Sequence, residues 1–148
     1  MVALGKQQGM KTSPELARLR TVVELSTIGI WEWNVRTDAL HWSPDQMSLV
    51  GLPEEEFRPH VSTFKDRLHP DDAERIWAAL RAHLEQGEPY DVMMRLRHDD
   101  GHYIELRGKG VAERDESGSP VRMTGVTYDI SDLRDTRRRR WQWDVFRL

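Results

Sequence analysis

The sequence predicts an α+β protein: a five-stranded antiparallel sheet with helices on one face, a flanking helix before it and a short helix after it. Three observations predict this. Apolar residues recur at helical spacing over 14–26 and then switch to period two from Ile28 to Val35. A second helical pattern opens on Pro70 and closes on Gly87. Beyond it, alternating segments are separated by Asp99-Asp100-Gly101 and by Asp115–Pro120, as in a meander of three strands.

Each element has its own reason. Residues 1–12 lack periodicity and are expected to be disordered. Ser13-Pro14-Glu15 starts a helix: an oxygen for the N-cap, a proline at the first position and an acid in the first turn. Leu16, Leu19, Val22 and Val23 give that helix, 13–26, an apolar stripe. Trp31, Trp33 and Val35 share one face of the first strand. Arg36-Thr37-Asp38 turns the chain into a second strand, Ala39–Trp42. Ser43-Pro44-Asp45-Gln46 has the spacing of a capping box, in which Gln46 reaches back to the cap, and Gly51 ends that helix. Val61–Leu68 is long enough for about two helical turns.

The segment His69-Pro70-Asp71-Asp72 has the composition of a metal or catalytic cluster, but its position favours a helix start. Asp71 and Asp72 fall in the first turn, where each carboxylate contributes about 0.3–1 kcal/mol against the unpaired backbone N–H groups. Tyr90, Val92, Met94 and Leu96 alternate with Asp91, Met93, Arg95 and Arg97 on the next strand. His102–Glu113 follows, with Gly108 and Gly110 marking a bend, a bulge or close packing. Val121–Asp129 is the last strand.

Composition narrows the function. The chain is 38% hydrophobic and 32% charged, as expected of one folded domain of 148 residues. It has no cysteine, which excludes disulfides, thiolate metal sites, a cysteine nucleophile and a cysteinyl-flavin photoreceptor. No apolar run reaches the roughly 18 residues of a membrane span, and a cytoplasmic location is expected. The net charge of −3 divides into about +4 over residues 134–148 and −7 over the rest. An acidic body argues against nucleic acid as its partner. No triad order, no His-Glu-x-x-His and no glycine-rich phosphate loop is present. Asp99-Asp100-Gly101 lacks the spaced acids of a calcium loop.

Taken in order, "WEWNVRTDALHWSPDQMSLVGLPEEEF", "LHPDDAERIWAAL", "YDVMMRLRHDDGHYIELRG" and "VRMTGVTYDISDLRD" resemble a PAS domain of the bacterial sensor-kinase and cyclic-dinucleotide-enzyme type, over about residues 26–135. The domain proper would span 27–133. The terminal Asp-Ile-Thr of the family stands here as Asp129-Ile130-Ser131, and Glu105 stands where the family often has tryptophan. The resemblance implies a pocket between sheet and helices, no enzymatic activity of the domain itself, and homodimerisation through flanking helices. It also implies signal relay through Asp129, Ile130 and Ser131 to a histidine kinase or diguanylate cyclase type of output.

The candidate pocket residues are Trp31, Trp33, Trp42, Met47, Ile76, Leu80, His83, Met94 and Met123. The tryptophans either pack the core or dimer contact or form a stacking platform for a flat ligand, and the methionines either fill core or line an adaptable pocket. His83 lies beside the Ile76–Leu80–Leu84 stripe, shortly before Gly87. It resembles the placement of the proximal histidine in some heme PAS domains, so heme is a candidate cofactor; otherwise it is a partly exposed histidine near the helix end, where the dipole favours a cation. Glu32, Arg95, Arg97, His98, Glu105, Arg107 and Lys109 are expected to be solvated or in cross-strand pairs. The tail "RRRRWQWDVFRL" has two readings: a terminal helix packing on its own domain or dimer mate, or a basic aromatic segment for an anionic membrane surface or nucleic acid.

Overall fold

The computed structural model describes residues 13–131. Residues 1–12, expected to be disordered, and the Arg/Trp tail, 134–148, lie outside the described residues. Helix α1 (Pro14–Ser26) is capped by the Ser13 hydroxyl and stops at Thr27 in the left-handed region, φ 55°. None of its residues is buried. Strands β1 (Gly29–Asn34) and β2 (Leu40–Trp42) form the predicted hairpin. Helix α2 (Pro44–Leu49), a 3-10 turn (Glu54–Glu56), the short helix α3 (Ser62–Lys65) and the long helix α4 (Pro70–Gln86) follow. Strands β3 (Tyr90–Arg97), β4 (Tyr103–Arg114) and β5 (Pro120–Asp129) complete the chain.

The sheet order is β2-β1-β5-β4-β3, with every pair antiparallel. The last strand therefore lies between the two hairpins and carries the middle of the molecule. Helix α4 contributes Ile76 and Leu80 to a core with Leu96, Leu106 and Met123 from the sheet. Its ends match the sequence reading: Pro70 at the start and Gly87, φ 73°, as left-handed terminator. The His69 imidazole supplies the N-cap, accepting from the Asp71 N–H at 3.0 Å. The stretch Val61–Leu68 forms less helix than expected, one turn from Ser62 to Lys65, before Leu68 bridges to Leu96 on β3.

Asp72 departs from a simple dipole role. Its carboxylate is buried and turned across to β3, where it accepts from the Arg95 backbone N–H (2.9 Å), Nε (3.1 Å) and a terminal nitrogen (2.8 Å). Arg95 is therefore tied to a helix while it also faces Glu105 on the neighbouring strand. Glu32–Arg122, Asp91–Arg107 and Asp91–Lys109 are cross-strand pairs as expected.

One row across the sheet explains the glycines. Trp42, Trp31, Gly125, Gly110 and Tyr90 are register partners on successive strands. The Trp31 indole lies over the two glycines and meets Tyr90 edge-on, with centroids 6.2 Å apart. A Cβ on Gly125 would sit 2.2 Å from both Trp31 Cζ2 and the Lys109 carbonyl oxygen, and one on Gly110 would sit 2.6 Å from Trp31. Close packing is thus the role of Gly110, and the sheet irregularity falls later, at Glu113/Arg114.

Candidate ligand-binding site

A cavity of about 40 Å³ lies between the sheet and the helices, lined mainly by apolar groups. Trp31, Trp33, Trp42, Leu80 and Met94 of the predicted pocket line it. Met47, Ile76 and Met123 do not; they are buried in the solid core. They share the inward face with the lining residues, but period and face say nothing about depth. The walls also hold residues absent from the prediction, among them Phe64, Trp77, Tyr90, Gln46 and Thr127. Trp77 stacks edge-on with Trp33 and Phe64, which fixes the aromatic end of the cavity. Burial pushes the Tyr90 phenol well above its ordinary pKa, so it stays neutral at the sheet end of the wall.

Gln46 is the polar lining residue whose side chain lacks a partner. The expected capping box is only half formed. The Ser43 hydroxyl accepts from the Gln46 N–H at 3.3 Å, but the Ser43 N–H that Gln46 would return to donates instead to the Ile30 carbonyl at 2.9 Å. The strand has taken that donor; Gln46 lines the cavity, and its Oε1 packs against Gly29 of β1. The residue is 2% exposed and its Oε1 has no hydrogen-bond partner.

His83 is buried rather than partly exposed at the helix end, and it does not line the cavity. Both ring nitrogens are used within the protein. Nδ1–H donates to the Glu88 carbonyl at 2.6 Å and Nε2 accepts from the Ala112 N–H at 3.0 Å, which requires the neutral Nδ1–H tautomer. Arg114 adds bonds to the carbonyls of His83 (3.1 Å) and Leu84 (2.7 Å), satisfying the last turn of α4. The ring is a tie between α4 and β4. Heme does not fit here. The ligating nitrogen is already bonded, and a cavity of about 40 Å³ takes about two or three waters, against several hundred Å³, roughly, for a cofactor-sized ligand.

At the far end of β5, Asp129 Oδ1 accepts from the Ser131 N–H at 2.8 Å and from the Ser131 hydroxyl. Ile130 is buried and its N–H reaches the Glu105 carbonyl at 3.3 Å. The three residues thus form a closed turn at the end of the central strand.

The family model described as the PAS fold matches residues 39–127. The chain belongs to the PAS fold family. The solved sensory box histidine kinase/response regulator from Burkholderia thailandensis superposes on this PAS domain with a TM-score of 0.71. It is 32% identical, covering 88% of this chain and 99% of that one. The N-terminal domain of a diguanylate cyclase with PAS/PAC sensor from Marinobacter aquaeolei is 29% identical, with a TM-score of 0.65, covering 72% of this chain and 98% of that one. The sensor protein FixL of Bradyrhizobium diazoefficiens is 29% identical over 113 residues, which is 76% of this chain and 22% of that protein. The PAS domain here is therefore of the sensor type used in signal transduction, and it spans about a fifth of that curated relative's length. Among the described residues no helix is long and apolar enough to cross a membrane.

Proposed function

We propose that this PAS domain is a sensory and dimerisation module. In this reading a small, largely apolar molecule with one hydrogen-bond donor enters the cavity, and Asp129, Ile130 and Ser131 pass the change to an output of the histidine kinase or diguanylate cyclase kind. The observation that carries the reading is the buried, unpartnered Oε1 of Gln46, a residue of a mainly apolar, aromatic wall. Leaving such an acceptor unmet costs on the order of 1–3 kcal/mol, which a donor on a ligand offsets. A few convergent polar groups in an apolar cleft is the usual chemistry of a small-molecule site.

The cavity is smaller than a single aromatic ring requires, so entry has to move a wall. Trp31 rests directly on the backbone of β5 and β4 at Gly125 and Gly110. Displacing it shifts the strand that ends at Asp129. Leu16, Leu19, Val22 and Leu25 of α1 are exposed at 40%, 62%, 62% and 80%, an apolar stripe that supports self-association through this helix.

Phenol, an aromatic ring with one O–H donor, is a direct probe. It raises the melting temperature of the wild type in a concentration-dependent way, and Gln46→Leu removes that rise. No rise with phenol, benzyl alcohol or indole sinks the ligand reading. With Asp129→Ala, phenol still raises the melting temperature, but any phenol-dependent change in dimer fraction, read by sedimentation velocity, disappears. A dimer response unchanged in Asp129→Ala removes these residues from the relay.

A further inference from the structure

The β3–β4 hairpin places His98, Asp100 and His102 together on one loop, at positions i, i+2 and i+4, with one donor atom from each within 4.8 Å of the others. The loop is tightly built. The His98 N–H donates to the His102 carbonyl at 2.8 Å, and the Gly101 N–H to the His98 carbonyl at 2.9 Å. Gly101, at φ 103°, takes a backbone conformation that a side chain would strain. The two imidazoles stack, centroids 4.8 Å apart at 19°. Nδ1 of His98 stands 3.2 Å from Asp100 Oδ1, and Nδ1 of His102 bonds the same oxygen.

We propose that His98, Asp100 and His102 form a binding site for a divalent transition-metal ion of the zinc, nickel and copper class. Two imidazole nitrogens and one carboxylate oxygen suit those ions and not magnesium or calcium, which take oxygen cages. Donors bound to one zinc at about 2.0–2.2 Å lie no more than about 4 Å apart. The cluster is therefore within a small side-chain rotation of a shared ion.

Asp100 Oδ1 stands between the two Nδ1 atoms and already bonds that of His102. His98 Nδ1 accepts the Asp100 N–H at 3.1 Å, a bond that the ion would replace, and on this exposed loop water can take the freed N–H. On binding, the ion takes the place of the proton that His102 Nδ1 shares with Asp100, and that proton leaves to solvent. The nearby Arg67 cation is occupied by Asp99, at 2.7 Å.

The site is also anchored. The His98 ring packs on the backbone of Gly51, where an added Cβ would come within 2.3 Å of it, and the Asp99 N–H donates to the Val50 carbonyl at 2.9 Å. A bound ion would lie where the end of α2 meets the β3–β4 hairpin.

The test is isothermal titration of the untagged chain with zinc chloride, with magnesium chloride in parallel. Zinc is expected to bind at one ion per chain and to raise the melting temperature, whereas magnesium gives neither effect. His102→Ala and Asp100→Asn, both at exposed positions and so compatible with folding, each weaken zinc binding by about tenfold or more. Absence of zinc binding at one per chain overturns the proposal. So does an affinity unchanged in His102→Ala, which would place the ion on His41, His60, His69 or His83 instead.

Discussion

Replacing Asp72 with asparagine tests whether the H-P-D-D segment acts through charge or through shape. Asp72 is 6% exposed and gathers three hydrogen bonds from Arg95, with Arg75 at 3.5 Å. The Arg95 side-chain bonds come first among the causes that hold its carboxyl at a pKa of about 2, against an ordinary 3.8. The folded-state value is lowered, so the anion stabilises the fold at any pH well above 3.8, and that contribution is lost as pH falls toward 2. The shift is worth about 2 kcal/mol at neutral pH, and less to the extent that water screens the partly exposed Arg95. By the same linkage roughly half of it is gone at pH 3. Asp72→Asn keeps the shape and removes the charge. It is expected to lower the urea midpoint by roughly 1 M at pH 7, with the gap from wild type shrinking between pH 4 and pH 2.5. A gap that stays constant over that range, or no gap at pH 7, refutes the charged tie between α4 and β3.

Two further substitutions check other joints. His83→Ala strands the Ala112 N–H and the Glu88 carbonyl and is expected to cost about 2 kcal/mol by chemical denaturation; added hemin gives no Soret band that depends on His83, and such a band would reverse the assignment of the ring. Gly125→Ala is the sharper case, because backbone entropy alone predicts a small gain in a strand. The Cβ would stand 2.2 Å from the Lys109 carbonyl, so a loss of about 3 kcal/mol is expected, and a melting temperature equal to or above wild type would show that the Trp31 row is not tightly packed.

The elements were legible where one local signal sufficed. Pro70 and Gly87 bound α4 because both act through the backbone of the residue itself. Tyr90, Met94 and Leu96 face inward because strand period depends on nothing distant. The site was less legible, for a physical reason at each residue. Gln46 was read as closing a capping box, and only the approach of β1 to Ser43 diverts it. The place of His83 beside the apolar stripe followed from its helix face, but its burial and its partners Glu88 and Ala112 depend on where β4 runs. Asp72 was placed correctly in the first turn, yet its orientation is set by Arg95, 23 residues away. The histidines flanking Asp99-Asp100-Gly101 were visible in the sequence; the loop was weighed only as a calcium loop, which needs acids rather than imidazoles.

The position of β5 joins these observations into one mechanical picture. It pairs with β1 on one side and β4 on the other, so any shift of β1 relative to β4 must pass through it. Trp31 belongs to β1 but rests on β5 and β4 and reaches Tyr90 on β3. One indole thus reaches from β1 to β5, β4 and β3, and it also forms a wall of the cavity. Packed interiors respond to an added group by discrete rearrangement rather than by smooth compression. A molecule drawn to Gln46 therefore has two outcomes open to it: exclusion, or displacement of Trp31 across the Gly125–Gly110 surface. In the second case the strain is delivered to β5, whose last residue, Asp129, holds Ser131. The sheet centre, and not the helices, is then the element that links occupancy to the exit from the domain.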